Sequence, residues 1–467
     1  MSQRKHYFFC GIGGSGMFPL AILADALGHE VSGSDRALDQ GRTAEKFQWL
    51  REKGIPLFPQ DGSGLTQSDQ VLVASAAVED TVPDVVAANR LGARRMTRAE
   101  LLAEMFNAAQ NTVAVGGTSG KSTTTGMLGS ILHQAGLQPT IFNGAIMKDF
   151  STPGNPFASA VAGGPEVFVS EVDESDGSIA LFHPRVAVLN NIALDHKSME
   201  ELRGLFRAFV AGAEAAVINM DNTESAALAG ELPREKVVTF AIDSTGVDLA
   251  ATGLSPQPDG IVFKVCAADT GESATVKLGV PGRHNVENAL AALAAARALG
   301  VPLGAAARHL ETFTGVGRRL DVVGTAGEVT VIDDFAHNPD KIAATLATLH
   351  EFPGRLLIMF QPHGYGPLRL MGDALVECFT RNLAPEDVLV MPEPVYFGGT
   401  VERSASSAEL VAKVRAAGKK AHAFDDRETC GRRLLELTKP GDRVVIMGAR
   451  DDSLSEFAAG LLNELSC

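Results

Sequence analysis

The sequence predicts an α/β protein made of three consecutive domains. A chain of 467 residues is too long for one ordinary domain and fits about three, at roughly 100–200 residues each. Short apolar strands alternate with helical segments, which is typical of largely parallel sheets with helices on both faces. With 45% hydrophobic and 21% charged residues, the chain can bury a sizeable core. We place the domains at residues 1–108, 109–316 and 317–467.

Composition and charge exclude several classes of protein. The net charge of −15 argues against a nucleic-acid-binding surface and against a polybasic membrane anchor. No apolar run approaches the roughly 18 residues that a spanning helix needs, and the N-terminal segment lacks the apolar core of a signal peptide. The five cysteines are scattered and odd in number, so we expect reduced thiols. We therefore expect a cytoplasmic monomer or homodimer that binds neither nucleic acid nor membrane.

The first domain begins with the apolar strand HYFFC, a glycine-rich loop and a helical stretch from Met17 to Leu27. The strand EVSGSD follows and ends at Asp35. Later segments are the strand QVLVASAAV, a helix from Arg98 to Phe106 and a polar linker at 107–112. This alternation of strands and helices predicts a Rossmann-like domain.

The loop after the first strand carries a phosphate-binding pattern. Gly11, Gly13 and Gly16 match the G-x-G-x-x-G fingerprint of dinucleotide-binding domains, and Asp35 stands about 20 residues further on. The pattern predicts a phosphate-bearing ligand at the N-terminus of the first helix, but it does not identify that ligand. A tight strand–helix turn without a ligand is the alternative.

The second domain opens with a strand and a second phosphate-binding loop, TVAVGGTSGKSTTT. Gly117 and Gly120 allow the backbone to approach a phosphate closely, Lys121 would reach the terminal phosphates, and the Ser122 hydroxyl would face Mg²⁺. The standard pattern has a glycine five residues before Gly120, where this chain has Val115, so the loop is one residue tighter. A glycine-rich turn with a surface lysine is the alternative.

Acidic residues and a histidine follow the next two strands of this domain, EVFVS and RVAVLNN. Open α/β sheets bind ligands at the carboxyl ends of their strands, and Mg²⁺ beside nucleotide phosphates needs hard oxygen ligands. We therefore predict metal ligands here, although acidic clusters are often solvated turns and a lone histidine is more often structural. The residues are Glu171, Asp173, Glu174 and Asp176 after the first strand, and Asp195 and His196 after the second.

A polar segment, Arg283-His284-Asn285, precedes the alanine-rich helix VENALAALAAARAL, and Asn288 lies one turn further. Asn285 is a candidate ligand contact, with a helix N-cap as the alternative favoured by the pattern alone.

The third domain contains the strands EVTVIDDF, RLLIMF, DVLVMPE and DRVVIMGA, and a helix from Asp340 to Leu349. Asp333 and Asp334 stand at the end of the first of these strands, and the segment from Asp333 to His337 is expected in a strand-end loop. The alternative is a capped helix start at Asn338-Pro339.

Taken together, these motifs resemble the Mur ligase family, the ATP-dependent ligases that build the peptidoglycan stem peptide. GTSGKSTTT resembles the family's phosphate loop, GRHNVENALAA its adenine-contacting segment, and GRRLD with DDFAHNPD the elements of its third domain that close over ATP. The segments CGIGGSGM, VSGSD, EVDESDGS, NIALDH and FQPH resemble the branch that acts on UDP-N-acetylmuramate. The resemblance covers nearly the whole chain.

The resemblance implies a ligase that joins an amino acid to the carboxylate of UDP-N-acetylmuramate. ATP and that carboxylate would form an acyl phosphate, which an amine attacks through a tetrahedral intermediate with release of phosphate. Phosphoryl transfer of this kind needs positioning and charge neutralisation more than covalent side-chain chemistry. The implied cofactors are ATP and Mg²⁺, and the first glycine loop would hold the UDP diphosphate instead of NAD.

The resemblance also implies roles for individual residues. Catalysis is expected from Lys121, Glu171, His196 and Arg319, and Mg²⁺ binding from Ser122, Glu171 and His196. The residues implied for ATP are Gly117, Thr118, Gly120, Lys121, Ser122, Thr123, His284, Asn285, Asn288, Arg319, Asp334 and His337. Those implied for the UDP-sugar and the amine are Gly11, Gly13, Gly14, Ser15, Gly16, Asp35, Ser75, Asn143, Ser175, Asp176, His363 and Arg369.

Several positions depart from that branch. Ser119 replaces its usual histidine, and DDFAHNPD and LNNIALDH are closer to murein peptide ligase, which attaches a recycled tripeptide to the same sugar nucleotide. In FQPHGYGPLR, Gly364 and Pro367 stand where the branch has arginines, and only Arg369 remains. A peptide is therefore an alternative amine. The chain has no lysine between Ser198 and Glu235, so we predict no carbamoylated lysine.

Two further functions compete with a ligase. An NAD-dependent oxidoreductase would account for the first glycine loop and Asp35, but it leaves the Lys121 loop unexplained. A nucleotide-binding regulator without catalysis would account for the altered residues on the amine side. The presence of Lys121, Glu171 and His196 together argues against that regulator.

Overall fold

The computed structural model describes residues 4–76, 78–194, 197–257, 260–395, 405–449, 451 and 453–466. The chain forms two compact units. The first comprises Met1–Ser255, Ile261–Gly279 and Asn285–Gly315, and the second comprises Pro256–Gly260, Val280–His284 and Val316–Cys467. Each of the three predicted domains contains one β-sheet, which confirms the three-domain α/β fold class. The boundaries at residues 108 and 316 remain predictions.

The first sheet has five parallel strands in the order β3-β2-β1-β4-β5. The order reverses between β1 and β4, and ligands of open α/β sheets bind at such a switch point. The loop at residues 11–16 follows β1 there. The strands are β1 (His6–Cys10), β2 (Glu30–Ser34), β3 (Leu57–Phe58), β4 (Gln70–Ala74) and β5 (Arg94–Thr97), and the helices are α1 (Met17–Ala26), α2 (Arg36–Asp39), α3 (Ala44–Glu52), α4 (Pro83–Leu91) and α5 (Arg98–Asn107).

The second sheet has ten strands in the order β15-β14-β13-β12-β11-β10-β6-β9-β7-β8. The central strand β6 pairs in parallel with β10 on one side and β9 on the other, so the loops after these three strands meet at one edge. The strands are β6 (Asn111–Gly116), β7 (Thr140–Phe142), β8 (Ala160–Val161), β9 (Val167–Glu171), β10 (Val186–Leu189), β11 (Ala215–Asn219), β12 (Val237–Ile242), β13 (Leu249–Gln257), β14 (Gly260–Ala267) and β15 (Ser273–Leu278).

Five α-helices and three short 3₁₀-helices accompany the second sheet. The long helix α9 buries most of its alanine and leucine side chains, so its good helix propensity is combined with extensive packing. The α-helices are α6 (Lys121–Gln134), α7 (Met199–Gly212), α8 (Thr223–Ala229), α9 (Arg283–Ala298) and α10 (Leu303–Leu310), and the 3₁₀-helices are Lys148–Phe150, Ser178–Leu181 and Arg234–Lys236.

The third sheet has six strands in the order β16-β17-β21-β18-β19-β20, and it is parallel except for the edge strand β16. The strands are β16 (Asp321–Ala326), β17 (Val329–Asp334), β18 (Leu356–Gln361), β19 (Val388–Pro392), β20 (Lys420–Phe424) and β21 (Arg443–Gly448). The helices are α11 (Pro339–His350), α12 (Tyr365–Asn382), α13 (Ser407–Ala416), α14 (Arg427–Leu437) and α15 (Ser453–Leu465).

Some predicted elements differ from those observed. β4 ends at Ala74, before the second half of QVLVASAAV, and Asn111 begins β6 although the sequence predicts a linker there. Asp333 and Asp334 end β17 and are not in a loop, since both pair with β21. Helix α9 begins at Arg283, so Asn285 lies inside its first turn and the N-cap interpretation is wrong.

No helix within the described residues is long and apolar enough to cross a membrane. The four cysteines that the structure describes, at positions 10, 266, 378 and 430, are free thiols.

Candidate functional site

The second glycine-rich loop connects β6 to α6. Gly117 and Gly120 adopt φ angles of 132° and 84°, in the region that favours glycine, and α6 begins at Lys121. A methyl group at Gly120 would clash with the side-chain oxygen of Asn288. Glycine is therefore required at position 120 both by the backbone angle and by the packing. This geometry places the N-terminus of a 14-residue helix beside the loop, as a phosphate site needs.

The residues after β10 hold this loop in place. The backbone N–H of Thr118 donates to the carbonyl of Asn191 (3.1 Å), and the N–H of Ser119 donates to the Asn191 side-chain oxygen (2.9 Å). The Thr118 hydroxyl donates to the Ala193 carbonyl and accepts from the Ala193 N–H, at 3.1 and 3.0 Å. The phosphate loop is thus tied to the strand beside it.

Lys121, at the start of α6, forms an ion pair with a buried glutamate. Its Nζ is 2.8 Å from Oε2 of Glu174, a side chain only 5% exposed, and it also donates to the carbonyl of Gly117 at 2.7 Å. Burial alone would lower the pKa of Lys121, but the negative charges of Glu174, Asp173 and Glu171 raise it above its ordinary value. The ammonium group is therefore a permanent positive charge beside the loop.

Ser122 and Glu171 bring two oxygen ligands together. The Ser122 hydroxyl donates to Oε2 of Glu171 at 2.7 Å, and the buried side chain of Asn143 donates to the Ser122 carbonyl at 2.9 Å. Among the described residues, no group of three histidine, cysteine, aspartate or glutamate side chains is placed to hold a metal. Asp195 and His196 lie outside the described residues. The Ser122–Glu171 pair offers hard oxygens suited to a magnesium ion that keeps water and phosphate ligands.

The acidic segment after β9 is only partly solvated. Glu174 is buried, and Asp173 is half-buried with a pKa below its ordinary value: burial would raise it, but Lys121, Ser175 and Arg98 together lower it. Asp176 is exposed and accepts a hydrogen bond from the N–H of Ser178 at 2.9 Å. The interpretation as a simple solvated turn therefore fails for Glu174, whose carboxylate pairs with the phosphate-loop lysine.

Four side chains form a buried polar cluster behind the loop. Asn288 accepts hydrogen bonds from the Thr124 hydroxyl (3.2 Å) and from the Asn190 amide (3.4 Å), and donates to the Asn285 side-chain oxygen (3.1 Å). Asn190 also donates to Thr124 at 2.9 Å. Asn285 and Asn288 thus brace the phosphate loop from α9, and Thr123 is buried on the same helix as Thr124. Their contact with adenine remains a prediction.

The first glycine-rich loop is closed by Asp35. One carboxylate oxygen of Asp35 accepts from the Gly13 N–H at 2.8 Å, and the other accepts from the Ala37 N–H at 2.7 Å, so that Asp35 caps α2. Gly11 has a φ of 84°, and its N–H donates to the Ser34 carbonyl at 2.8 Å. The other predicted residues lie around this loop or after β4: Gly14 and Ser15 are exposed, and Gly16 and Ser75 are half-buried.

In the second unit, the side chain of Asp334 is buried and accepts hydrogen bonds from two other residues of the same unit. Its two oxygens accept from the Leu320 N–H at 3.2 Å and from the Thr345 hydroxyl at 2.5 Å. The Arg319 guanidinium stacks on the ring of Phe335, with 4.3 Å between the guanidinium carbon and the ring centroid. These contacts fix the conformation of the segment around Arg319 and Leu320.

His337 and His363 lie edge to face in the second unit, with ring centroids 5.2 Å apart. Nδ1 of His337 is 2.9 Å from the Phe335 carbonyl. Burial, with the nearby charges of Lys341 and Arg319, lowers the pKa of His337 to about 2. His337 is therefore neutral, Nδ1 donates to that carbonyl, and Nε2 is an acceptor. His284 also has a pKa below its ordinary value, because its burial outweighs the charge of Asp334.

The start of α12 has a backbone conformation that favours glycine at position 364. Gly364, the residue before the helix, has φ 140° and ψ 164°, a region essentially restricted to glycine. Asn338 and Pro339 begin α11, with Asn338 accepting from the Lys341 N–H at 3.0 Å, so that predicted helix start is confirmed. Arg369 and Leu370 are exposed on α12.

Sequence reasoning missed several residues of the site. No role was predicted for Arg98, Thr124 or Asn190, nor the pairing of Glu174 with Lys121, because contacts between separate segments bring these residues together. A cavity of about 60 Å³ lies beside the loop. Its lining includes Arg98, Lys121, Glu171 and Asp173, together with Ala99, Leu102, Phe142, Val172, Ser178 and Phe182.

Models of known protein families match nearly the whole chain. The family model described as Mur ligase family, catalytic domain, matches residues 6–110, the Mur ligase middle domain matches 115–296, and the Mur ligase glutamate ligase domain matches 318–450. The chain is 35% identical to UDP-N-acetylmuramate–L-alanine ligase of Agrobacterium fabrum, over 98% of this chain and 96% of that protein. It is also 35% identical to the ligase of that name from Desulfosudis oleivorans, over 96% of each.

Solved structures agree with these matches. UDP-N-acetylmuramate-alanine ligase MurC from Thermotoga maritima superposes with a TM-score of 0.78 at 26% identity, over 98% of each chain. A murein peptide ligase from Psychrobacter arcticus superposes with a TM-score of 0.72 at 25% identity, over 99% of each chain. The oxidoreductase alternative is therefore wrong. With the phosphate loop and its Lys121 and Ser122 contacts, these matches show that the chain belongs to the Mur ligase family, the ATP-dependent amide-forming ligases of peptidoglycan synthesis.

Proposed function

We propose that this enzyme joins an amino acid to the carboxylate of UDP-N-acetylmuramate, with ATP converted to ADP and phosphate. The observation that carries the proposal is the phosphate loop at residues 117–122, with Lys121 and the Ser122–Glu171 pair beside it. The chain-long similarity to curated ligases for UDP-N-acetylmuramate and L-alanine supports the sugar nucleotide as the acceptor.

The phosphate loop supplies the positive charge that phosphoryl transfer needs. The terminal phosphates of ATP would take the place of Glu174 as the partner of Lys121, and the N-terminus of α6 would add its dipole. The buried cluster of Asn190, Thr124 and Asn288 keeps the loop in one conformation. Together these residues hold and neutralise the reacting phosphate group.

Magnesium fits the oxygen atoms present at this loop. Ser122 and Glu171 would hold it, with His196 as a further proposed ligand, and bound Mg²⁺ would neutralise charge on the phosphates. Glu171→Gln should raise the magnesium concentration needed for half-maximal activity and for tight ADP binding. Glu166→Gln, an exposed position before β9, is the matched control. Unchanged metal dependence of both properties would place the metal elsewhere.

The first glycine loop would bind the diphosphate of the sugar nucleotide, because its N–H groups lie at the start of α1 and at the switch point of the sheet. We propose that UDP-N-acetylmuramate binds here and that NAD does not. Calorimetric titration with each ligand separates the two.

A peptide is the second candidate for the amine. The observation that favours it is the start of α12, where Gly364 and Pro367 carry no cation and the exposed Leu370 follows. The structural similarity to a murein peptide ligase is consistent with a larger amine.

The decisive experiment measures phosphate release from ATP with UDP-N-acetylmuramate, first with single amino acids and then with peptides. Mass spectrometry of the product identifies the adduct. ADP and an amide of UDP-N-acetylmuramate are the expected products. Absence of any adduct with every amine, despite nucleotide binding, would favour the regulator without catalysis.

A further inference from the structure

Arg98 stands between the two glycine-rich loops of the first unit. It is the first residue of α5, whose start is set by a capping box between Thr97 and Glu100. Its guanidinium packs against Gly16 of the first loop, where an added methyl group would lie 3.1 Å from Nη1 and 3.3 Å from Nε. The same side chain lines the cavity that Lys121 and Glu171 border.

Two carboxylates lie near Arg98: Asp173, whose pKa the arginine helps to lower, and Asp176. Within the part of the chain that the structure describes, its one ion pair is with Asp176, at 3.8 Å between Nη2 and Oδ2. The two side chains are 23% and 35% exposed, and ion pairs of this kind contribute little. A bound anion can therefore replace Asp176 as the partner of this guanidinium at small cost.

The cavity beside the phosphate loop combines two cations with two carboxylates. At about 60 Å³ it has room for a small group such as a carboxylate. Arg98 and Lys121 are the two cations that line it, and Asp173 and Glu171, the proposed magnesium ligand, are the two carboxylates. Because Lys121 is paired with Glu174 and is the expected partner of ATP phosphates, Arg98 is the cation available to a second anion.

We propose that Arg98 binds the carboxylate of UDP-N-acetylmuramate and positions it for phosphorylation. This inference rests on the proposed function. The acceptor carboxylate has to reach the phosphate loop while the diphosphate remains at the first glycine loop. Arg98 packs against the first loop and lines the cavity beside the second. The planar guanidinium can hold a carboxylate with two parallel hydrogen bonds, which a lysine cannot reproduce.

Calorimetric binding of two sugar nucleotides tests this role. UDP-N-acetylglucosamine has the same diphosphate as UDP-N-acetylmuramate but lacks the carboxylate. Arg98→Met should weaken UDP-N-acetylmuramate binding by about 10- to 100-fold and leave UDP-N-acetylglucosamine binding within about twofold. Arg98→Lys should fall between the wild type and Arg98→Met for UDP-N-acetylmuramate alone.

Arg94→Met is the matched control, because it removes an exposed arginine four residues away, on β5, that does not line the cavity. It should leave the binding of both nucleotides unchanged. Melting temperatures of all variants show that they are folded.

Equal weakening of both nucleotides by Arg98→Met would overturn the inference and assign Arg98 to the diphosphate. Unchanged binding of both would overturn it as well and leave Arg98 with a structural role. If the wild-type enzyme binds neither nucleotide, the proposed function itself fails. That result is seen before any variant is made.

Discussion

The ammonium group of Lys121 lies 2.8 Å from Oε2 of Glu174, which is buried after β9, 53 residues along the chain. The carboxylate fixes the position of the lysine beside the phosphate loop. A buried carboxylate is costly unless it remains paired, so Lys121 stabilises the buried charge of Glu174. This relationship changes how substitutions at Lys121 should be interpreted.

We predict that Lys121→Met alone destabilises the protein by about 3–5 kcal/mol, because it leaves the Glu174 carboxylate buried without its partner. The double variant Lys121→Met/Glu174→Gln should recover most of that stability. Ligase activity should fall by on the order of 10³-fold or more in both, because a cation is missing from the phosphoryl-transfer site. Urea unfolding and ADP production measure the two effects.

Recovery of activity together with stability in the double variant would show that Lys121 is structural. UDP-N-acetylmuramate binding should stay close to normal in the double variant, since the first glycine loop is untouched.

We predict that Gly120→Ala lowers ATP-dependent turnover by about 100-fold, because a methyl group there would clash with Asn288 and displace the phosphate loop. Gly136→Ala is the matched control: its φ is 80°, close to the 84° of Gly120, but the space around it is open. Both variants should lose about 1–2 kcal/mol of stability through backbone strain. Equal turnover in the two variants would show that strain alone matters.

Much of this site could be predicted from the sequence, because several of its parts are formed by residues that are close together in the chain. The phosphate loop, Glu171 and the first glycine loop are short segments between a buried strand and the next element, so their spacing carries the signal. The roles of Asn190 and Arg98 were not predicted, because each side chain contacts residues that are distant in the sequence. The strands β12–β15 were missed as well: β13 and β15 are partly exposed, and their sequence lacks the continuous apolar runs of β6 and β10.

We predict that the enzyme discriminates poorly for free L-alanine and accepts a bulkier amino acid or a peptide at least as well. Pro367→Arg should shift preference toward L-alanine by roughly 10- to 150-fold if a charge-assisted contact with its carboxylate is restored. Position 364 does not offer this test, because φ 140° excludes arginine without a change of backbone. Competition between L-alanine and a tripeptide, read by mass spectrometry, measures the preference. A strong preference of the wild type for L-alanine would contradict the prediction.

We predict that His337 makes folding sensitive to acid. Its pKa is about 2 in the folded protein and about 6.5 when unfolded, so only the unfolded chain takes up its proton between these values. The contribution of neutral His337 to the free energy of unfolding is complete above pH 6.5. It declines as the pH falls and is smaller by about 2 kcal/mol at pH 5. His337→Asn should lose less stability than the wild type between pH 7 and pH 5. Equal losses, measured by urea unfolding, would show that His337 titrates normally.

The transfer of oxygen from the acceptor carboxylate tests the central claim most directly. UDP-N-acetylmuramate labelled with ¹⁸O in its carboxylate is incubated with ATP and an accepted amine, and the released phosphate is analysed by mass spectrometry. Formation of an acyl phosphate predicts one ¹⁸O atom in each phosphate and ADP as the other product. Unlabelled phosphate, or release of AMP and diphosphate, would contradict the proposed reaction.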